Sequence, residues 1–172
     1  MKMQTPVIES EKIALISTTE ADLDFVTALE IHPQNRGYVM NYSKEQHLEV
    51  MHSSDEQHLI IFDKGTNEKA GFVILGGLNN RYRALELRRI IIDKKGKGLG
   101  KETLQLIKKY CFEILQMHRL WLDVVDDNQK AIYIYASAGF KNEGLLREAV
   151  IFDGAYKNLK IMAILKDEYS TE

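Results

Sequence analysis

The chain has 172 residues, 45% of them hydrophobic and 28% charged, with a formal net charge of -2 and a pI near 6.2. That length suits one domain, residues 1–172, around a single core. The acidic balance argues against a nucleic-acid partner and means that any anion site must be built locally.

"KIALIS" (Lys12–Ser17) alternates apolar and polar residues and predicts a strand. In "TTEADLDFVTALEIH", Thr19 and Asp22 stand at capping-box spacing, and Leu23, Val26 and Leu29 continue a helical repeat. Ser43 and Gln46 repeat that relation ahead of a second short helix in "SKEQHLEVMH". "HLIIFD", "KGTN" and "KAGFVILGGL" then read as strand, turn and strand. "ALELRRIII" (Ala84–Ile92) is a further strand. Leu104, Ile107, Cys111 and Leu115 mark the apolar face of a helix. "LWLDVV" (Leu120–Val125) is a strand, and "NQKAIYIYASAG" a helix with Asn128 at its mouth and Gly139 at its end. The last segment predicts a hairpin turning at Asp153-Gly154. This order gives a mixed α/β domain, with antiparallel hairpins toward both ends and helical crossovers near the middle.

The single cysteine, Cys111, excludes an intrachain disulfide, and five scattered histidines show no zinc spacing, so no metal is expected. "MKMQTPVIESEK" has no apolar run like a signal peptide. No stretch approaches the ~20 apolar residues of a membrane span. The expectation is a cytoplasmic protein with no membrane partner.

Between the strand ending at Ile92 and the helix starting near Leu99 lies "DKKGKGLGK". A helix N-terminus offers unpaired N–H groups and partial positive charge, and glycines let a ligand approach them. Lys94, Lys95, Lys97 and Lys101 add local positive charge. Strand, glycine loop and helix together predict a phosphate or pyrophosphate site. The P-loop spacing fails, because Gly100-Lys101 is followed by Glu102 and position 95 is lysine. The dinucleotide spacing fails as well, with Lys101 or Thr103 where the last glycine belongs.

After the next strand, Asn128, Ala131, Tyr135, Gly139 and Phe140 stand at the spacing N-x-x-A-x-x-x-Y-x-x-x-G-F. With the glycine loop one strand earlier, the sequence resembles the GCN5-related N-acetyltransferase (GNAT) superfamily from about Phe72 to Leu165. The tail "LREAVIFDGAYKNLKIMAIL" resembles the ribosomal-protein N-terminal and spermidine-type branch. One departure is Lys95, where the motif has Gln or Arg.

The resemblance implies a mostly antiparallel sheet with a splayed central parallel pair and helices on both faces. It implies acetyl-CoA as co-substrate and a primary amine as acceptor: a peptide N-terminus, a polyamine or another small amine. It puts the pyrophosphate on the loop from Lys95 through Gly96, Lys97, Gly98, Leu99 and Gly100 to Lys101. The pantetheine arm pairs with the strand edge at Ile90, Ile91 and Ile92 and meets Asn128. A homodimer like others in the family is compatible with the sequence.

Direct transfer needs a neutral amine, yet an amine with a pKa near ~10 is mostly protonated at pH 7, so a base or water chain must deprotonate it. The resemblance assigns that role to Glu86, whose alternative is an ion pair with Arg88 or a cross-strand partner. It assigns protonation of the departing thiolate to Tyr135, whose alternative is a core aromatic beside Ile132 and Ile134. Tyr133 reads as packing, and Cys111 as a buried structural thiol. His32, His47, His52, His58 and His118 read as surface or packing residues. Arg81–Arg83 reads as a solvated turn. Glu45, Glu49, Asp55 and Glu56 could together draw a polyamine, although solvated helix-surface charge is the usual explanation for such a group. Two other readings stand beside the enzyme: a catalytically silent acyl-CoA sensor of the same fold, and a nucleotide-phosphate enzyme.

Overall fold

The computed structural model describes residues 4–93 and 95–169. Eight strands form one sheet: β1 (Ile8–Glu9), β2 (Ile13–Ser17), β3 (Glu56–Asp63), β4 (Glu68–Gly76), β5 (Ala84–Ile92), β6 (Arg119–Val125), β7 (Lys141–Phe152) and β8 (Ala155–Leu165). Their order is β1-β2-β3-β4-β5-β6-β8-β7. Four helices complete the fold: α1 (Leu23–Ile31), α2 (Lys44–His52), α3 (Leu99–Lys109) and α4 (Gln129–Ser137). Only the two-residue β1 lies outside the expected order, being too short to carry an alternating pattern. Each neighbouring pair is antiparallel except β5–β6, which the crossover helix α3 makes parallel. The expected sheet and helix layers are therefore present.

Both expected caps form. The Asp22 carboxylate accepts from the Thr19 amide at 2.8 Å and the Thr19 hydroxyl at 3.0 Å. Ser43 and Gln46 bond each other's backbone amides at 3.1 and 2.9 Å. The final hairpin turns at Asp153-Gly154, both in the left-handed region, with φ 50° and 77°.

The sheet separates two cores. α3 and α4 cover one face, with Leu104, Ile107, Phe140, Leu120 and Leu122 among its buried side chains. Past Lys109 that helix widens into a π turn, Tyr110–Ile114, which carries Cys111 at 0% exposure. α1 and α2 cover the opposite face over Ile60, Phe72, Ile74 and Ile91.

Beneath α1 and α2 runs a buried polar chain that crosses four elements. Thr18 Oγ1 lies 2.8 Å from His58 Nδ1, His58 Nε2 lies 2.9 Å from His47 Nδ1, and His47 Nε2 lies 2.6 Å from Glu30 Oε1. Arg89 donates to Glu30 Oε2 at 2.5 Å and covers the Tyr42 ring at 4.2 Å. As a carboxylate, Glu30 can only accept, so His47 donates to it from Nε2. Burial, with the charges of His47 and Arg89, pushes the His58 pKa down to about 3. A surface or packing place was the expectation for these two histidines. What the sequence did not show was the hydrogen-bonded chain, because its partners lie 11 to 59 residues apart.

Glu30→Ala leaves Arg89 buried without its counter-charge. The expected loss is about 3–5 kcal/mol, measured by urea unfolding. Glu30→Gln, which keeps one acceptor, should lose less.

Candidate active site

β5 and β6 pair only through Ala84↔Arg119, Leu85↔Leu120 and Glu86↔Trp121. Beyond that point β5 stays paired to β4 as far as Ile92, and β6 stays paired to β8 as far as Val125. The two central strands therefore part into a V. A bulge in β5 accounts for the divergence: Leu87 faces Leu75 and Arg89 faces Ile74, leaving Arg88 as the extra residue. From Leu87 onward the β6-facing edge of β5 offers backbone groups at the spacing of a strand. Ile90, Ile91 and Ile92 all lie on that edge, but the Ile91 side chain is buried against the α1–α2 core. Only its backbone faces the gap.

At the open end of the V, the glycine loop turns into α3. Gly96 and Gly98 have φ of 87° and 74°, and Gly98 caps the helix. A Cβ built on either would meet nothing within 4 Å, so it is the left-handed backbone that calls for glycine there. The same open space leaves the first amides of α3 approachable. Lys97 and Lys101 are exposed beside it. Lys94 lies outside the described residues. Asn128 caps α4, its Oδ1 accepting from the Ala131 amide at 3.3 Å.

At the narrow end, the pairings Glu56↔Gly76, Gly76↔Glu86 and Glu86↔Trp121 set Glu56, Glu86 and Trp121 on the α1–α2 face. Asp123, two residues beyond Trp121, shares that face. Arg88 bonds Glu56 and reaches Glu86 at 3.1 Å. Its guanidinium lies against the Gly76 backbone, where a Cβ would stand 2.3 Å from Nη2. Glu86 is thus in the ion pair that the sequence offered as its alternative. Burial, then the Glu86 charge, raises the Asp123 pKa, against the lowering effect of Arg88 and Arg89.

Tyr135 enters from the other face of the sheet. It is half-buried, with its ring centroid 6.0 Å from that of Phe140. Burial, and then the Asp123 charge, push its pKa up to about 12. A phenol and a carboxylate thus sense each other from opposite sides of the gap.

One expectation is corrected. Tyr133 is 74% exposed, because a helix lying on a sheet turns the side chain two positions from Tyr135 outward. Glu45 and Glu49 are exposed on α2, and Asp55 accepts from the Asn79 amide at 2.7 Å. Of that acidic group, Glu56 joins Glu86. Asp123 is the residue the sequence reading missed, although it is the one charge inside the apolar run "LWLDVV". Cys111 is buried as expected, which pushes its thiol up to about 12. Among the described residues, no group of three or more His, Cys, Asp or Glu could hold a metal ion, and no helix is long and apolar enough to cross a membrane.

This fold and cleft define an acyltransferase that uses acetyl-CoA. The family model described as an acetyltransferase (GNAT) domain matches residues 12–141, and the chain belongs to that family. The chain is similar to the spermidine N(1)-acetyltransferase of Escherichia coli (strain K12), being 32% identical over 163 residues, 88% of this chain and 84% of that protein. It is 28% identical to the spermidine N(1)-acetyltransferase of Vibrio cholerae, over 93% of this chain and 96% of the other. A crystal structure of spermidine N-acetyltransferase from Vibrio cholerae in complex with CoA and spermine superposes with a TM-score of 0.82. That structure is 27% identical and covers 92% of this chain and 98% of the other.

Proposed function

We propose that this protein moves the acetyl group of acetyl-CoA directly to a primary amine of a polyamine. The observation that carries the reading is the arrangement around the V: carboxylates Glu86 and Asp123 on one face, the Tyr135 phenol on the other, and the glycine loop at the mouth. The similarity to spermidine acetyltransferases supports the acceptor class.

The thioester supplies the activated acyl group. Ile90–Ile92 offer backbone partners to an extended arm, Gly96–Lys101 offer amides to its phosphates, and Asn128 lies beside its path. Glu86 and Asp123 hold the acceptor ammonium, and one of them takes its proton, directly or through water. Asp123 suits that step because its raised pKa lies closer to neutrality than an ordinary aspartate's. Tyr135 donates its O–H to the departing sulfur. Glu56 extends the acidic surface, and Arg88 keeps it partly neutralised.

The test is thiol release from acetyl-CoA with spermidine, spermine, peptide N-termini and small amines. Polyamines are expected to give the highest kcat/KM. A higher value for peptide N-termini would overturn the acceptor assignment. Thermal stabilisation by CoA with no thiol release from any amine would instead establish the sensor reading.

A further inference from the structure

α4 ends in a turn built around Tyr135. The Phe140 amide donates to Tyr135 O and the Gly139 amide to Ala136 O, each at 3.0 Å. Gly139 has φ 99°, the left-handed conformation that such a helix end requires. These two bonds fold the chain back on itself, and the rings of Tyr135 and Phe140 meet as a result. The Ala138 carbonyl, at the cap of the helix, accepts from a side chain instead: the Lys108 ammonium donates to it at 2.7 Å. Lys108 comes from α3 and is 7% exposed. A buried ammonium is costly unless a partner holds it, so the contact fixes both groups. The cation also meets the negative end of the α4 dipole.

We infer that Lys108 is a positioning residue for the acetyl transfer, holding the last turn of α4 so that the Tyr135 phenol stays at the gap between β5 and β6. It acts through the Ala138 carbonyl, on the same turn that carries Tyr135. The inference rests on the proposed role of Tyr135 as proton donor. It gives α3 a second task. The first amides of that helix are offered at the glycine loop, and Lys108 lies nine residues beyond Leu99, about 14 Å along the same rigid element. One helix thus references the proton donor to the mouth of the cleft.

Single-turnover acetyl transfer to spermidine, combined with Tyr135→Phe in a double-mutant cycle, tests it. Lys108→Met keeps an apolar stem and removes the donor. It should slow transfer about 10-fold with CoA affinity unchanged, the scale of a slightly misplaced reacting group. In the Tyr135→Phe background the same substitution should change the rate by less than ~2-fold, because the group it positions is already gone. Lys108→Arg keeps the charge and a donor and should recover most of the rate. An equal loss in both backgrounds would mark a general structural role and overturn the inference. An unchanged rate in Lys108→Met, or a loss confined to CoA binding, would overturn it as well. Should Lys108→Met not fold, Lys108→Gln, polar and one atom shorter, takes its place in the cycle and the same two losses are compared. If Tyr135→Phe alone keeps the full rate, the acid role and this inference fall together. If Tyr135→Phe is slow and the two losses simply multiply, only this inference falls.

Discussion

Tyr135→Phe is expected to lower kcat about 100-fold while leaving CoA affinity unchanged, the scale of a lost general acid. The phenol has a pKa of about 12, so at neutral pH it is present as the donor. A thiol resembling cysteine has a pKa near ~8.5, so complete proton transfer from Tyr135 runs uphill. Its main contribution in the proposed mechanism is then an O–H hydrogen bond to the charge developing on sulfur, in a half-buried place where such a bond is strengthened. Phenylalanine keeps the ring against Phe140 and removes only that bond. Single-turnover kinetics together with a CoA titration measure both quantities. A variant with full kcat would strip Tyr135 of the role, and one with weakened CoA binding would make it a binding residue.

Asp123→Asn is expected to lower kcat/KM with polyamine about 100-fold. Its raised pKa also fixes the signs of two further effects. In the proposed mechanism with Asp123 as the base, the carboxylate works when deprotonated, so the acid limb of the pH–rate profile should follow Asp123. The Glu86 charge helps to raise that pKa, so Glu86→Gln should move the limb to lower pH. For stability, the folded-state pKa exceeds the ordinary 3.8. Stability therefore falls as pH rises from that value through the raised one, and the cost is complete above it. Asparagine removes the cost, so the slow variant should melt at a higher temperature at neutral pH. Loss of activity with a lowered melting point would indicate misfolding instead. In the proposed mechanism the pair is also coupled: once Asp123 carries the acceptor's proton, the charge that helps to raise the Tyr135 pKa is gone. Tyr135 would thus become a better donor in the same event that produces the nucleophile.

Local signals carried most of the fold. Ala84–Ile92 is a strand with the expected bounds, the Ser43–Gln46 cap forms, and the final turn falls at Asp153-Gly154. These features depend on neighbours within a few residues, where spacing is informative. The bulge at Arg88 left no such mark, since it exists only as a register between β4 and β5. Its result, the opening of the V, entered through resemblance. The site was legible in the same uneven way. The glycine loop and the Asn128–Phe140 helix are contiguous motifs and could be read directly. Asp123 becomes meaningful only when β6 puts it on the face of Glu86. Lys95 donates to Asn35 across 60 residues, and no pattern in the chain joins them. Long-range electrostatics stay hidden until the sheet is assembled.

Cys111 has a practical consequence for all of these measurements. It is the only thiol in the chain, fully enclosed, and largely un-ionised at neutral pH. Chromogenic disulfide reagents react with thiolates that they can reach. In the folded protein, every equivalent of colour they report is therefore free coenzyme, with no blank from the polypeptide. The converse is also useful: a slow rise of colour in the absence of amine and acetyl-CoA would be a direct clock for unfolding.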